Sequence, residues 1–380
     1  MCDMFDSSCA RTAMPTARPH ALRLARLRRD LARQKLDALL VTSEPDVRYL
    51  TGFTGNDSAL LVTARHAFFL TDGRYTEQAD QETRDLEILC RKRGMMELAG
   101  RTARRAGVKR LGFESRVLTV AQHEELGRQA PGVKLAPTTD MIENQRILKD
   151  PEEVDSIRRA VRVAEQAFLD IRPLIRPGRT EAELAHALNS AMIQLGADSP
   201  AFDTIVAFAE RSSLPHARPT TRRLRSGDAV LFDWGARVGG YCSDLTRMVF
   251  VNIISPFYAR VYGAVLEAQR RALRRAEAGI PAAEVDAAAR DYLKSQRFGR
   301  RFSHGLGHGI GLQIHEAPAL NARSTAKLKA GMVFTVEPGV YAPGRGGVRI
   351  EDDVLVRRSG IQLLTSAPKL LRDMVLRTGV

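Results

Sequence analysis

Asp233, Asp244, His308, Glu337 and Glu351 are the residues of this sequence whose types and spacing bear most directly on chemistry. Four carboxylates and one imidazole form a hard-to-borderline donor set. Such a set suits Mn²⁺, Co²⁺ or Fe²⁺ better than it suits the thiolate-rich coordination of a structural zinc. Acidic side chains crowded on half-buried strands repel one another unless cations lie between them. The chemistry a pair of such ions supports is hydrolysis, because coordination lowers the pKa of water from its bulk value toward about 7.

Two hairpins and a glycine-rich segment must bring these side chains together. In AVLFDWGARVGGYCSDLTRMVFV (229–251) two apolar, β-rich runs flank the turn signal Val238-Gly239-Gly240. The midpoint between Asp233 and Asp244 falls in that turn, so a simple hairpin predicts the two aspartates directly opposed, with Cβ atoms about 5 Å apart. GMVFTVEPGVYAPGRGGVRIEDDVLV (331–356) repeats the construction, with Gly344 midway between Glu337 and Glu351, and predicts that these glutamates pair across their ladder. Between the hairpins, FSHGLGHGIGLQIHE (302–316) contains four glycines. It reads as a loop that lets backbone and imidazoles approach a site closely.

The order Asp, Asp, His, Glu, Glu within FDWGA, YCSDLTR, HGLGHGIGL, VEPGVY and GGVRIEDD resembles the pita-bread metallopeptidases, and specifically their prolidase and aminopeptidase P branch. LPHA (214–217), QIHEAP (313–318), NQRILKDPEEVDSIRRA (144–160), VRYLTGFTG (47–55) and FFLTDGRYTEQA (68–79) extend the likeness over roughly residues 20–375. The resemblance implies an α/β protein of two domains. An RNase H-like N-terminal domain is expected at residues 20–141 and a pita-bread catalytic domain at 146–380.

The resemblance further implies that Asp233 binds one ion, that His308 and Glu337 bind the other, and that Asp244 and Glu351 bridge the two. Glu337 would also carry a proton from the attacking water to the departing proline nitrogen, while His216 and His315 polarise the carbonyl and stabilise the tetrahedral intermediate. His304, Arg349, Tyr341 and Arg48 are the candidate substrate contacts. Arg349 shares a strand face with Glu351, and its planar fork suits either a substrate carboxylate or a metal-binding carboxylate. Tyr341 faces the same way or belongs to the core. Arg48 reads the substrate's amino terminus or length, or else supports the YLTGF element. The implied substrate is a dipeptide or short peptide whose second residue is proline, and the implied cofactor is two divalent ions, Mn²⁺ before Co²⁺, Fe²⁺ or Zn²⁺. A homodimer is also expected.

The chain departs from the family pattern at Phe208-Ala209, often Ser-Gly, and at Pro215-His216-Ala217, often Pro-His-Gly. It also has Asp46 near a position the family fills with asparagine, and Asn56-Asp57 where the family has a glycine-rich serine segment. None of these touches a candidate metal ligand.

A chain of 380 residues with 44% apolar content is long enough for two domains with proper cores. The expected boundary lies near 142–150, where Asp150-Pro151-Glu152-Glu153 opens a helix with an early proline and acids in its first turn. DALLVTS, SALLVTA and AFFLTD in the first part suggest a mixed sheet covered by helices. Cys2, Cys9, Cys90 and Cys242 show no CxxC spacing, which points to a reducing cytoplasm. No apolar run of membrane-spanning length occurs. Residues 1–19 lack the apolar core of a signal peptide and read as a disordered tail.

The net charge of +14 favours a second class of function, an inactive relative that binds nucleic acid or protein. Arginines at helical spacing read instead as a solvated face, and the intact donor set argues against loss of activity. A metal-free creatinase-like amidinohydrolase is disfavoured on the same ground.

Overall fold

The computed structural model describes residues 19–378, so the tail expected over residues 1–18 lies outside the described residues, while Pro19 already opens the helix Pro19–Arg33. The chain forms two compact units that divide between Ile142 and Glu143.

The first unit is built on a six-stranded sheet of β1 (Ala38–Val41), β2 (Ala59–Thr63), β3 (Ala67–Thr71), β4 (Glu87–Cys90), β5 (Arg110–Glu114) and β6 (Lys134–Thr138). Their spatial order is β4-β3-β2-β1-β5-β6. Central β1 pairs antiparallel with β2 and parallel with β5. Both of its faces are covered, which is why ALLV is apolar throughout rather than alternating. Met96, Ala99 and Ala103 of the helix Met95–Arg105 close one face against Leu40, Leu61 and Leu111.

The helix Glu44–Thr51 begins without a side-chain cap from Ser43. Glu114, at the end of β5, caps it from across the sheet by accepting the amides of Thr42 and Ser43 at 2.6 and 2.9 Å. Burial, followed by the neighbouring Asp46 carboxylate, raises the Glu114 pKa to about 8.

The first long helix of the second unit is Pro151–Ile171, whose capping box links Asp150 and Glu153 reciprocally. This helix and Glu181–Gln194 pack on Val230, Phe232 and Trp234 of the strand Ala229–Trp234. The alternate residues Ala229 and Leu231 belong to a second core with the helices Pro256–Arg275 and Ala282–Ser295. Asp233 shares their face and stands at the strand's end.

In the first hairpin, Ala229–Trp234 pairs with Leu245–Val251 so that Thr246, not Asp244, faces Asp233. The direct opposition of the two aspartates expected from sequence is therefore displaced by two residues. The cause is the turn. Gly239 and Gly240 both hold positive φ (58° and 83°), and a two-residue turn of this kind fixes the strand register. Strand alternation keeps Asp244 on the face of Thr246 and so of Asp233, as a diagonal neighbour.

In the second hairpin, the ladders Val333–Val336 with Asp352–Val356 and Gly339–Ala342 with Gly346–Arg349 keep one common register, which sets Glu337 across from Glu351 in the gap between them.

The glycine-rich segment differs from the loop expected of it. Gly307–Gly309 is a strand lying between Glu316–Leu320 and Val333–Val336. A Cβ on Gly307 would stand 2.0 Å from the Thr335 carbonyl oxygen, and one on Gly309 would stand 2.1 Å from that of Ala317. The missing side chains are what permit the strand to be there.

Several arginines behind the high charge are held in ion pairs, Arg222 with Asp228, Arg271 and Arg274 with Glu267, and Arg275 with Glu284. Among the described residues no helix is long and apolar enough to cross a membrane.

Glu114 gives a testable pH dependence. Its folded pKa, about 8, lies above its ordinary 4.5, so the folded state binds the proton more tightly. The associated stability is fully present below about 4.5 and is lost as pH rises toward 8. Glu114→Gln, which keeps an acceptor oxygen for the two amides, is expected to flatten this dependence, measured by hydrogen exchange of the Glu44–Thr51 helix at pH 5 and pH 8.

Candidate metal centre

His308 is carried by the glycine strand, the aspartates by the first hairpin and the glutamates by the second. The His308 Nδ1 lies 3.1 Å from the Gly309 carbonyl oxygen, which can only accept, so Nδ1 bears the proton and Nε2 presents a lone pair. That Nε2 stands 3.4 Å from Glu337 Oε1 and 3.6 Å from Asp244 Oδ2. Burial holds the His308 pKa down at about 4, so the ring is neutral near pH 7. Asp244, His308 and Glu351 each offer a donor atom within 4.8 Å of the others.

The carboxylates show the complementary perturbation. Burial first, then Glu351 and Asp233, raises the Asp244 pKa well above the usual range, and Glu351 is raised by burial and by Glu337. Glu337 is pushed up to about 8 by burial. Asp233 Oδ1 is buried with no hydrogen-bond partner. The His308 Nε2 lone pair thus converges with carboxylate oxygens, an arrangement that divalent cations would satisfy. The donor set is hard to borderline and fits such ions.

A cavity of about 770 Å³ opens onto these groups. His216 and His315 line it, and the rings of His308 and His315 pack edge to face at 4.4 Å. His304 lines it as well. Its Nδ1 donates to the Gly305 carbonyl at 2.7 Å, so its Nε2 accepts from the Tyr341 hydroxyl at 3.0 Å. Tyr341 itself is buried behind Arg349 and does not line the cavity, which differs from the substrate contact considered from sequence. Its hydroxyl accepts from Arg349 Nη1 at 2.7 Å. Arg349 also pairs with Asp233, so its fork is engaged by a candidate metal-binding carboxylate. Arg48 belongs to the helix Glu44–Thr51 of the first unit and is absent from the cavity lining.

Residues behind the donors escaped the sequence reading. The Thr246 hydroxyl donates to Glu351 Oε2 at 2.6 Å and accepts from Arg349 Nε at 2.9 Å, so one hydroxyl joins the two hairpins. Buried Arg247 reaches the Glu351 carbonyl and Asp352, and Asp353 accepts the Asp244 amide at 3.1 Å. Glu316, beside His315, is held by Arg146 and by Lys149 at 3.0 Å and accepts the Gln313 amide. The available signal was alternation: Thr246 lies two residues beyond Asp244 on the same strand face. Thr246→Val removes the hydroxyl and leaves charged partners unsatisfied, with an expected loss of about 2–3 kcal/mol in unfolding free energy by urea titration, while Thr246→Ser retains most of it.

Residues 155–358 match the family model for metallopeptidase family M24, and residues 23–148 match that of the creatinase/prolidase N-terminal domain. A Xaa-Pro dipeptidase of Pyrococcus horikoshii is 35% identical over 340 residues, covering 89% of this chain and 95% of that one. Among solved structures, the Xaa-Pro dipeptidase from Bacillus anthracis superposes with a TM-score of 0.91 at 38% identity, over 94% of this chain and all of that one. The X-Pro aminopeptidase from Thermotoga maritima gives 0.85 at 35% identity, over 92% of this chain and all of that one. With its two domains and a donor set suited to divalent metal ions, this chain belongs to metallopeptidase family M24 and has the pita-bread fold of its prolidase relatives.

Proposed function

We propose that the protein is a dinuclear metal-dependent exopeptidase that hydrolyses the Xaa-Pro bond at the amino end of dipeptides or short peptides. The observation that carries this reading is the convergence of the His308 lone pair with four carboxylates at a cavity lined also by His216 and His315, in a chain whose relatives include Xaa-Pro dipeptidases. In this reading Asp233 would hold one ion, His308 and Glu337 would hold the other, and Asp244 and Glu351 would serve both. Mn²⁺ is the first choice of metal for an oxygen-rich set with one imidazole. When bound, the cations supply Lewis acidity and make deprotonation of water accessible near neutral pH.

The protein's own groups do the rest. Glu337 lines the cavity, where a carboxylate beside the attacking water can take its proton and return it. It removes the proton from the attacking water as the C–O bond forms, then delivers it to the proline nitrogen as the C–N bond breaks. His216 and His315 donate hydrogen bonds to the carbonyl oxygen as it becomes an oxyanion. Arg349 positions Asp233, and Tyr341 with His304 holds Arg349 in place. A homodimer accompanies this reading as the expected assembly.

Metal-stripped protein resupplied with Mn²⁺, Co²⁺ or Zn²⁺ is expected to cleave an Xaa-Pro dipeptide. Glu337→Gln should reduce kcat at least about a hundredfold, in line with loss of a general acid–base group. Failure to cleave either a dipeptide or an Xaa-Pro-Yaa tripeptide with any metal would contradict the assignment.

A further inference from the structure

The cavity is lined by a cationic residue for which the proposed chemistry has no use. Among the described residues lining it, two side chains carry a permanent positive charge, Arg218 and Arg349. Arg349 is spent on Asp233, Thr246 and Tyr341. Arg218 is exposed, and among the described residues no carboxylate or carbonyl takes up its guanidinium. Asp203, which lines the same cavity, makes no ion pair with it.

The backbone around Arg218 is fixed although its side chain is free. Glu181, fully buried, accepts the Thr220 amide at 2.9 Å, the Thr220 hydroxyl at 2.6 Å and Arg211 Nε at 3.0 Å. Arg211 Nη2 in turn donates to the Arg218 carbonyl at 2.8 Å. Pro219 restricts Arg218 to extended backbone. On the other side, Ala217 is buried, and His216 lines the cavity. Arg218 therefore lines the cavity from a backbone with little freedom and carries an unpaired guanidinium, two residues from a histidine that faces the reacting carbonyl in the proposed mechanism.

We propose that Arg218 recognises the free carboxylate of an Xaa-Pro dipeptide and makes this chain a dipeptidase by preference; the proposal rests on the Xaa-Pro reading above. In a dipeptide the carboxylate lies a single residue beyond the scissile bond, within about 3.6 Å of chain per residue. A longer peptide presents a neutral amide at that point, which gains far less from a guanidinium than a carboxylate does. A cation at this place changes selectivity as well as affinity, because only the dipeptide presents a charge for it to pair.

The test compares hydrolysis of one Xaa-Pro dipeptide with that of its C-terminal amide by the metal-loaded protein, and inhibition by free proline with inhibition by prolinamide. The wild type is expected to favour the acid by about tenfold in kcat/KM, carried in KM. Arg218→Ala should bring the acid-to-amide ratio near unity and remove the preference for proline over prolinamide as inhibitor, and Arg218→Lys should restore part of both. Equal handling of acid and amide by the wild type, or an unchanged ratio in Arg218→Ala, would overturn the role of Arg218 while leaving the peptidase reading intact. If neither substrate is cleaved, the peptidase reading falls and this proposal falls with it.

Discussion

A neutral imidazole and four carboxylates that present mainly lone pairs to one another stay ionised together in a low-dielectric pocket at neutral pH only with positive charge between them. In this protein the His308 Nε2 faces Glu337 and Asp244, Glu351 stands within the same cluster, and Asp233 keeps a buried oxygen without a donor. Much of the second unit follows from assembling and holding that frustrated cluster. The two hairpins aim their acidic residues to one side while their alternate apolar residues meet the helices. Gly307 and Gly309 let the histidine-bearing strand lie between two others at separations that no Cβ would allow.

Supporting residues hold the cluster to its geometry. Thr246 links Glu351 to Arg349, Asp353 fixes the Asp244 amide, and Arg247 ties the Glu351 backbone to Asp352. Each contact is short and buried, so the donors are preorganised instead of collecting around an ion from a mobile state. His304 and Tyr341 extend the same logic outward, since the chain from the Gly305 carbonyl through His304 and Tyr341 to Arg349 fixes every proton along it.

That Asp244, His308, Glu337 and Glu351 come together was legible in the sequence, because acidic residues at fixed strand parity in two hairpins must face one side. The register of Glu337 against Glu351 was legible for the same reason, since one turn sets it for both ladders. Asp233 against Asp244 was misjudged because the turn is centred on Gly239-Gly240, a small shift that puts Thr246 opposite Asp233. The Gly307–Gly309 strand read as a loop because glycine propensity speaks of flexibility, whereas here the lack of a Cβ serves contact. Tyr341 shares the strand parity of Glu337 yet packs behind Arg349, a matter of side-chain packing that alternation does not encode. Arg218 carries no motif, and only the cavity lining and the absence of a partner single it out.

Completion of this cluster by cations is open to direct measurement. The most direct measurement is the number of Mn²⁺ ions bound per chain after equilibrium dialysis, by elemental analysis, for the wild type and for Asp244→Asn. Two ions per wild-type chain and fewer than two in the variant are expected, with far-UV circular dichroism unchanged. A wild-type chain that retains no metal, or a variant that binds as many ions as the wild type, would contradict it.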